Sequence, residues 1–415
     1  MRLLLRNATL VDVRAGRGRP ASTLLIQDDR IAAVGHADDF GEPDDSSSST
    51  GAQSHVVDLG GAYVVPGLVD PHVHLALSAA PDALDRVELD AELARRNART
   101  LLMSGVTTAA DCGGPGKVTL DLKHAIERGD TAGPRLLVSL NPITTPGGHC
   151  HAFGAVARGV QSITAATREL LDRGADFVKV MASGGGTPGT TPAAEPQLDQ
   201  AELEAIVQVA HARGHHVVAH ARGAEAIRRA VRAGVDRLEH LTWEVHGGVA
   251  YDPRVANEMA ERGTRADPTL AAGVRAAASD LVPEARRLEL RQQFAWRYPN
   301  YRRLAREAGL ALLCGSDAGA PLVAFDDFAL GPELLVQVVN YRPAEALAAA
   351  TLWGAQALGV DDSRGALEPG KLADLVVLGA DPLREPSALR SVKNVMLGGR
   401  WQVVARFEQK GATRL

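Results

Sequence analysis

The sequence predicts an α/β protein whose larger part is a (β/α)8 barrel, and three observations carry that prediction. Short apolar runs alternate with helical patterns over residues 65–362. Histidine, lysine and aspartate recur at the carboxyl ends of those runs, the edge where such barrels place their active-site residues. The 415 residues also exceed the roughly 250 of a lone barrel, leaving more than a hundred for a second domain.

Residues 2–35 alternate apolar and polar with turn signals, as in Leu3-Leu4-Leu5-Arg6-Asn7-Ala8-Thr9-Leu10-Val11, and predict antiparallel sheet. Asp38 to Ser54, with Asp44-Asp45-Ser46-Ser47-Ser48-Ser49, reads as a mobile surface loop. Strands resume at Val56-Val57-Asp58-Leu59, and the barrel begins near Val65. Helical patterns cover 86–103, 119–128, 164–173, 201–213, 224–233, 253–262, 284–308 and 343–358. Pro253 and Pro343 near first-turn positions, and Asp199 ahead of an apolar-periodic run, mark helix starts. Gly365 to Leu378 returns to strand patterning.

The most informative stretch is Asp70-Pro71-His72-Val73-His74 at the end of the run Ala62–Val69. Side chains alternate along a strand, so a terminal His-x-His turns both imidazoles to one side and offers two nitrogens to one metal ion. Thirteen histidines would produce such a motif by chance roughly 0.4 times, and His149-Cys150-His151 is a second instance. The first stands out because Lys179, His220, His240 and Asp317 follow it, each near the carboxyl end of an apolar run. Any one of these histidines alone reads as well as a core residue. Lys179 is sharper: with six lysines against 39 arginines, this one lies in the apolar run Phe177-Val178-Lys179-Val180-Met181, where an unpaired ammonium is costly. The alternative is an ion pair with an acid, for which Asp176 is a candidate.

Composition excludes several classes. Hydrophobic residues at 45% allow a large core, and a net charge of −5 with no basic stripe argues against nucleic acid. Leu3-Leu4-Leu5 is too short for a signal-peptide core and no long apolar segment follows, so no membrane partner and a cytoplasmic location are expected. Three widely spaced cysteines agree with a reducing compartment. Cys112 and Cys314 read as small buried hydrophobes; Cys150, between two histidines in a glycine-rich loop, is either a substrate or metal contact or a loop cysteine without a role.

With these residues the chain resembles the amidohydrolase superfamily over nearly its whole length. The resemblance implies a barrel over 65–362 and a small β-sandwich built from 1–64 and 363–415, the latter through the run Gly365-Ala366-Leu367-Glu368-Pro369-Gly370-Lys371-Leu372-Ala373-Asp374. For the binuclear members it implies two zinc ions: His72, His74 and Asp317 on the first, His220 and His240 on the second, and a carboxylated Lys179 as bridge. A metal-bridging hydroxide would attack a polarised carbonyl while Asp317 takes its proton and passes it to the leaving nitrogen.

Thr145-Pro146-Gly147-Gly148-His149 and Lys179-Val180-Met181-Ala182-Ser183-Gly184-Gly185 are similar to the prolidase-like branch, which is related to imidazolonepropionases. That branch cleaves dipeptides and N-acyl amino acids, and its loop histidine implies a substrate contact for His149. Two departures follow. Where many members have His-Ala-Tyr, this chain has His220-Ala221-Arg222, so Arg222 either forks a substrate carboxylate or pairs with a nearby acid. Beyond Asp317, relatives commonly carry His-Gly; here Phe325-Asp326-Asp327-Phe328 offers two aspartates that cap the next helix or bind a cationic group. The alternatives are a cyclic-amide, lactone or deaminase-type hydrolase, or a non-catalytic interaction protein on the same fold. Lys179 argues against the mononuclear deaminases, and six filled ligand positions argue against lost activity. A small-molecule substrate is expected, and a homo-oligomer is left open.

Overall fold

The protein is described here by a computed structural model over residues 2–40, 54–84, 89–185 and 190–403. The chain separates into two compact units, one of Met1–Val69, Leu101–Thr108 and Tyr341–Leu415, the other of Asp70–Thr100 and Ala109–Asn340. The loop expected over Asp38–Ser54 begins as a 3-10 turn, Ala37–Phe40; its remainder, 41–53, lies outside the described residues, as do 86–88 at the start of the first expected helix.

The first unit is organised by one eight-stranded sheet that takes strands from both ends of the chain. Arg400–Val403, Val392–Leu397, Leu375–Leu378, Tyr63–Pro66, Arg2–Asp12, Arg17–Gln27 and Arg30–His36 follow one another across it, with Ser54–Asp58 also pairing with Arg2–Asp12. The joint between the termini is antiparallel, Val376 opposite Val65. Period-two alternation puts Leu3, Leu5, Leu24, Ile26, Val64, Leu375 and Val377 in one core, so burial and register specify each other. The helix expected over 343–358 is two, Pro343–Ala349 and Leu352–Ala357. The break falls at Thr351, whose hydroxyl donates to the Leu347 carbonyl at 2.6 Å, a local bond that competes with helix continuation.

In the second unit, strands and helices alternate. Ile143–Thr144, Val178–Met181, Val217–Gly223, Arg237–Val245 and Arg265–Asp267 pair in parallel, and Val160–Asp172, Gln200–His211, Ala224–Ala233 and Pro253–Arg262 are the helices between and after them. Local chemistry explains the helix ends. Asp199 and Glu202 form a reciprocal capping box, Asp252 caps the helix that starts at Pro253, and Gly234 and Gly263 close two helices in the left-handed conformation.

Leu68–Val73, Val106–Asp111 and Arg135–Val138 form a further three-stranded group. Ala311–Asp317, predicted as the last strand, makes only isolated bridges, Leu312 with Ala266, while Ala318 just beyond it bridges Val73. Its backbone is taken up elsewhere: Gly315 N donates to Asp267 Oδ1 at 3.0 Å and Ser316 N to Asp70 Oδ1 at 3.1 Å. The described strands therefore form separate hydrogen-bonded groups in a mixed α/β fold, not one closed ladder. The helix Val274–Ala278 was not anticipated, and the helix expected to follow Asp326-Asp327 is Leu330–Val339. Among the described residues no helix is long and apolar enough to cross a membrane.

Candidate active site

His72 and His74 leave the strand Leu68–Val73 on one side, and their Nε2 atoms stand 3.2 Å apart. The His74 Nδ1–H donates to the Gly113 carbonyl at 2.6 Å, which fixes the tautomer and leaves Nε2 as a bare lone pair. Asp317 Oδ1 lies 3.4 Å from His72 Nε2 and 3.3 Å from His74 Nε2. Backbone bonds hold the three together: Asp317 N donates to the His72 carbonyl at 2.8 Å, and His74 N to the Ala318 carbonyl at 2.7 Å. Asp317 sits at φ +61°, a strained value for a residue with a Cβ. The flanking glycines are steric necessities, because a Cβ on Gly315 would come within 1.9 Å of Asp267 and one on Gly319 within 2.3 Å of the His74 carbonyl.

Lys179, fully buried, is ion-paired, and its partner is Glu239. Asp176, the acid considered from the sequence, is engaged elsewhere, taking Lys123 at 2.7 Å and the Val138 N–H at 2.7 Å. Lys179 and Glu239 come from alternate strands, with Val217–Gly223 between them, and both side chains are buried. Burial pushes the Lys179 ammonium below its ordinary range.

Glu239 is a site residue that the sequence reading did not name. Its Oε1 also accepts from the Cys112 thiol at 3.2 Å, lies 3.4 Å from Arg237 Nη2, and stands 3.4 Å from His72 Nδ1 without hydrogen-bond geometry. The available signal is a charged pair two residues apart on one face of the strand, Arg237 and Glu239. In a regular strand Glu239 and His240 would face opposite ways. His240 sits at φ +68°, which breaks the pleat and brings its ring to the same cavity.

Among the described residues two triads bring ligand atoms within 4.8 Å of one another, His72–His74–Asp317 and His72–Glu239–His240. His220 belongs to neither; it meets His240 through its ring, centroids 4.4 Å apart, and its Nε2–H donates to the Gly184 carbonyl at 2.9 Å, leaving Nδ1 free for a ligand. His240 Nδ1 pairs with the Thr269 hydroxyl at 2.7 Å. Burial drives the imidazoles of His72, His220 and His240 well below the usual histidine range, so they are neutral donors.

Beneath the ligands lie three buried carboxylates. Asp70 accepts from the backbone of His72 and Ser316, Asp111 from Leu75 and Gly113, and Asp267 from Thr269 and Gly315. Each ties one ligand-bearing loop to its neighbour or to itself. Burial raises all three, Asp70 to about 7.

The ligand side chains above them form the floor of a cavity of about 420 Å³. All six expected ligands line it, and so do His149, Cys150 and Arg222. His149 packs its ring 4.6 Å from that of His220, and burial, then Arg222, lowers its pKa to about 3. Its His-x-His partner His151 is exposed, so the second motif does not converge. Cys150 and Cys112 are buried thiols pushed up to about 12 and about 11 by burial.

Arg222 is not free. Its Nη2 donates to Glu244 Oε1 at 2.8 Å, so the acid-pairing alternative holds in this structure. Arg297 donates to the same oxygen at 2.6 Å. The aspartate pair also differs from expectation: the helix Leu330–Val339 starts without a side-chain cap, and Asp327 accepts from Arg275 at 2.6 Å. Part of the wall comes from the helix Glu284–Arg306, whose residues Leu290, Phe294, Arg297, Tyr298 and Tyr301 face the cavity at helical spacing.

Comparison with known proteins agrees with this architecture. The amidohydrolase family profile matches residues 63–402. A crystal structure of a Xaa-Pro dipeptidase with methionine bound in its active site superposes with a TM-score of 0.85 at 27% identity, over 97% of this chain and 100% of its own. A prolidase complexed with N-methylphosphonate-L-proline gives 0.81 at 26% identity, over 97% of this chain and 99% of its own. The ochratoxinase of Aspergillus niger is 27% identical over 430 residues, 93% of this chain and 84% of the fungal protein.

Proposed function

The chain belongs to the amidohydrolase family and is a hydrolase of carbon–nitrogen bonds, and on that premise we propose that it cleaves peptide-like or N-acyl amino acid substrates bearing a free carboxylate, at a site for two divalent ions on a (β/α)8 barrel. The observation that carries this reading is the convergence of four histidines, one aspartate and one buried lysine on a cavity whose far wall is cationic.

The donor set fits divalent metal, zinc being the ion that imidazole and carboxylate best suit here. His72, His74 and Asp317 would hold one ion, His220 and His240 the other, and a carbamate on Lys179 would supply bridging oxygens in place of the ion pair with Glu239. Such ions supply Lewis acidity, which polarises a carbonyl and makes water nucleophilic near neutral pH. Asp317 then takes the proton of the attacking water on its carboxylate and delivers it to the departing nitrogen. His149, neutral because burial holds it near 3, offers one N–H to the substrate carbonyl. Arg222 holds the substrate carboxylate at the cationic wall, and the enclosed cavity keeps bulk water from the reacting groups.

One observation favours a second reading with a single ion: Lys179 is already neutralised by Glu239, and the triad His72–His74–Asp317 is a complete three-ligand set without it. Metal stoichiometry separates the two.

The proposed activity is tested by presenting protein expressed with zinc and bicarbonate to N-acyl amino acids, dipeptides and lactones of similar size. Release of free amino acid from a carboxylate-bearing amide, faster than ring opening of any lactone and abolished in Asp317→Asn, is expected. Turnover confined to lactones would overturn the amide reading.

A further inference from the structure

Outside the ligand set, the cavity's most unusual feature is a pair of arginines sharing one acid. Arg222 Nε and Nη2 lie 3.2 and 2.8 Å from Glu244 Oε1, and Arg297 Nη2 lies 2.6 Å from the same oxygen. Arg297 also donates to Gln293 Oε1 at 2.9 Å, while its buried Nε has no partner. Two guanidiniums carry ten N–H donors between them, and one carboxylate oxygen takes three of these bonds. The cluster thus keeps a net charge of +1, two cations less one anion, at side chains only 11–16% exposed. Burial and the neighbouring Arg222 both press against the charge of Arg297. A second anion placed here would relieve that repulsion and occupy the spare donors.

Arg297 does not stand alone on its helix. Phe294 precedes it by three residues and Tyr298 follows it, and the two rings stack in parallel at 5.5 Å. Leu290, one turn before Phe294, continues the same face, and all four line the cavity. An anion receptor and an apolar aromatic shelf therefore come from one stretch of helix.

Resting on the amide-hydrolase reading above, we propose that Arg297 and Arg222 together receive the substrate's carboxylate, Glu244 holding both guanidiniums in place, and that the Phe294–Tyr298 shelf takes the side chain next to that carboxylate. The preferred leaving amino acid is then aromatic or large and aliphatic. Arg297 is a substrate-binding and specificity-determining residue in this scheme, and Glu244 a positioning one.

The probes are N-acetyl-L-phenylalanine, its carboxamide N-acetyl-L-phenylalaninamide, and N-acetylglycine, each followed by release of the amine from the holoenzyme. Wild type should favour the carboxylate over the carboxamide and phenylalanine over glycine. Arg297→Gln leaves Glu244 paired with Arg222, and should lower kcat/KM for N-acetyl-L-phenylalanine by roughly thirty- to several-thousandfold, the range for truncating one partner of a buried charge pair, while changing the carboxamide less than about threefold. Arg297→Lys, which keeps the charge and loses the fork, should fall between. Phe294→Ala should reduce the phenylalanine-over-glycine preference by roughly tenfold or more without altering the carboxylate-over-carboxamide ratio. Direct binding of L-phenylalanine against L-phenylalaninamide provides a readout independent of turnover, and the same loss of selectivity is expected there in Arg297→Lys. If both Arg297 variants keep the wild-type carboxylate preference, the receptor assignment is overturned while the amide-hydrolase reading stands. A wild type that cleaves neither probe, or both equally, overturns the carboxylate reading and this inference with it.

Discussion

On the floor of the cavity, His72, His74, His220, His240 and Asp317 sit within strands or on the loops just past them, each fixed by a backbone carbonyl, a hydroxyl or a buried aspartate. On the wall, Phe294, Arg297 and Tyr298 project from one helix and are fixed mostly by each other and by Glu244. The floor is over-determined: two of its residues, His240 and Asp317, hold positive φ values that only surrounding structure can impose. The wall contains no such strain within its helix. Rigid positioning belongs where bonds are made and broken, and an adaptable surface belongs where substrates are chosen.

If that division holds, the largest effect should come from the floor. Asp317→Asn should preserve the fold and lower kcat by about 10²–10⁴, the usual cost of losing general acid–base catalysis, with equal effect on charged and uncharged amides. Steady-state kinetics on such a matched pair would show it, and a loss confined to the charged substrate would place Asp317 in recognition instead.

Glu239 comes next. Replacing it with Gln removes the partner of a fully buried lysine, and breaking a buried pair from one side typically costs about 3–5 kcal/mol. Urea unfolding of Glu239→Gln should show most of that loss, unless Lys179 sheds its proton, in which case the loss is small and reactivity of Lys179 toward amine reagents at pH 8 rises. A variant with unchanged stability and unchanged lysine reactivity would mean that the pair is incidental.

Arg222→Ala touches the wall. Since Arg297 remains on Glu244, carboxylate substrates should lose roughly ten- to a hundredfold in kcat/KM, with uncharged amides spared. Equal losses on both would make Arg222 structural.

The smallest effect concerns acid. His149 is neutral in the fold, lowered to about 3 from an ordinary 6.5, whereas the unfolded chain takes up a proton below 6.5. The stability it contributes is therefore complete above that pH and drains as pH falls toward 3, by roughly 1.4 kcal/mol per pH unit. Chemical denaturation of wild type and His149→Gln between pH 6.5 and 5 should differ in slope by about one proton, the variant being the less sensitive to acid.

Much of the floor is legible in the sequence because strand period and strand-end position constrain it: His72, His74, Lys179, His220, His240 and Asp317 each stand near the end of an apolar run, and all line the cavity. Helices with strong local signals are equally plain, Ala224–Ala233 and Pro253–Arg262 ending at left-handed glycines. Glu239 is hidden because alternation assigns it to the face opposite His240, and only the φ of +68° at His240 reconciles them. Ala311–Asp317 reads as a strand, yet carboxylates from distant positions take its amides. Arg297 is invisible for a different reason. The stretch Arg286-Arg287-Leu288-Glu289-Leu290-Arg291 onward looks like a solvated helix, and nothing local says which face meets a cavity.

The central claim is that the floor holds two divalent ions through a bridging Lys179. Elemental analysis of active protein prepared with zinc and bicarbonate, beside Lys179→Ala, tests it most directly. Two metals per chain in the wild type, and loss of most of that occupancy in the variant, are predicted; a single tightly held ion in fully active wild type, or undiminished occupancy without the lysine, would contradict it.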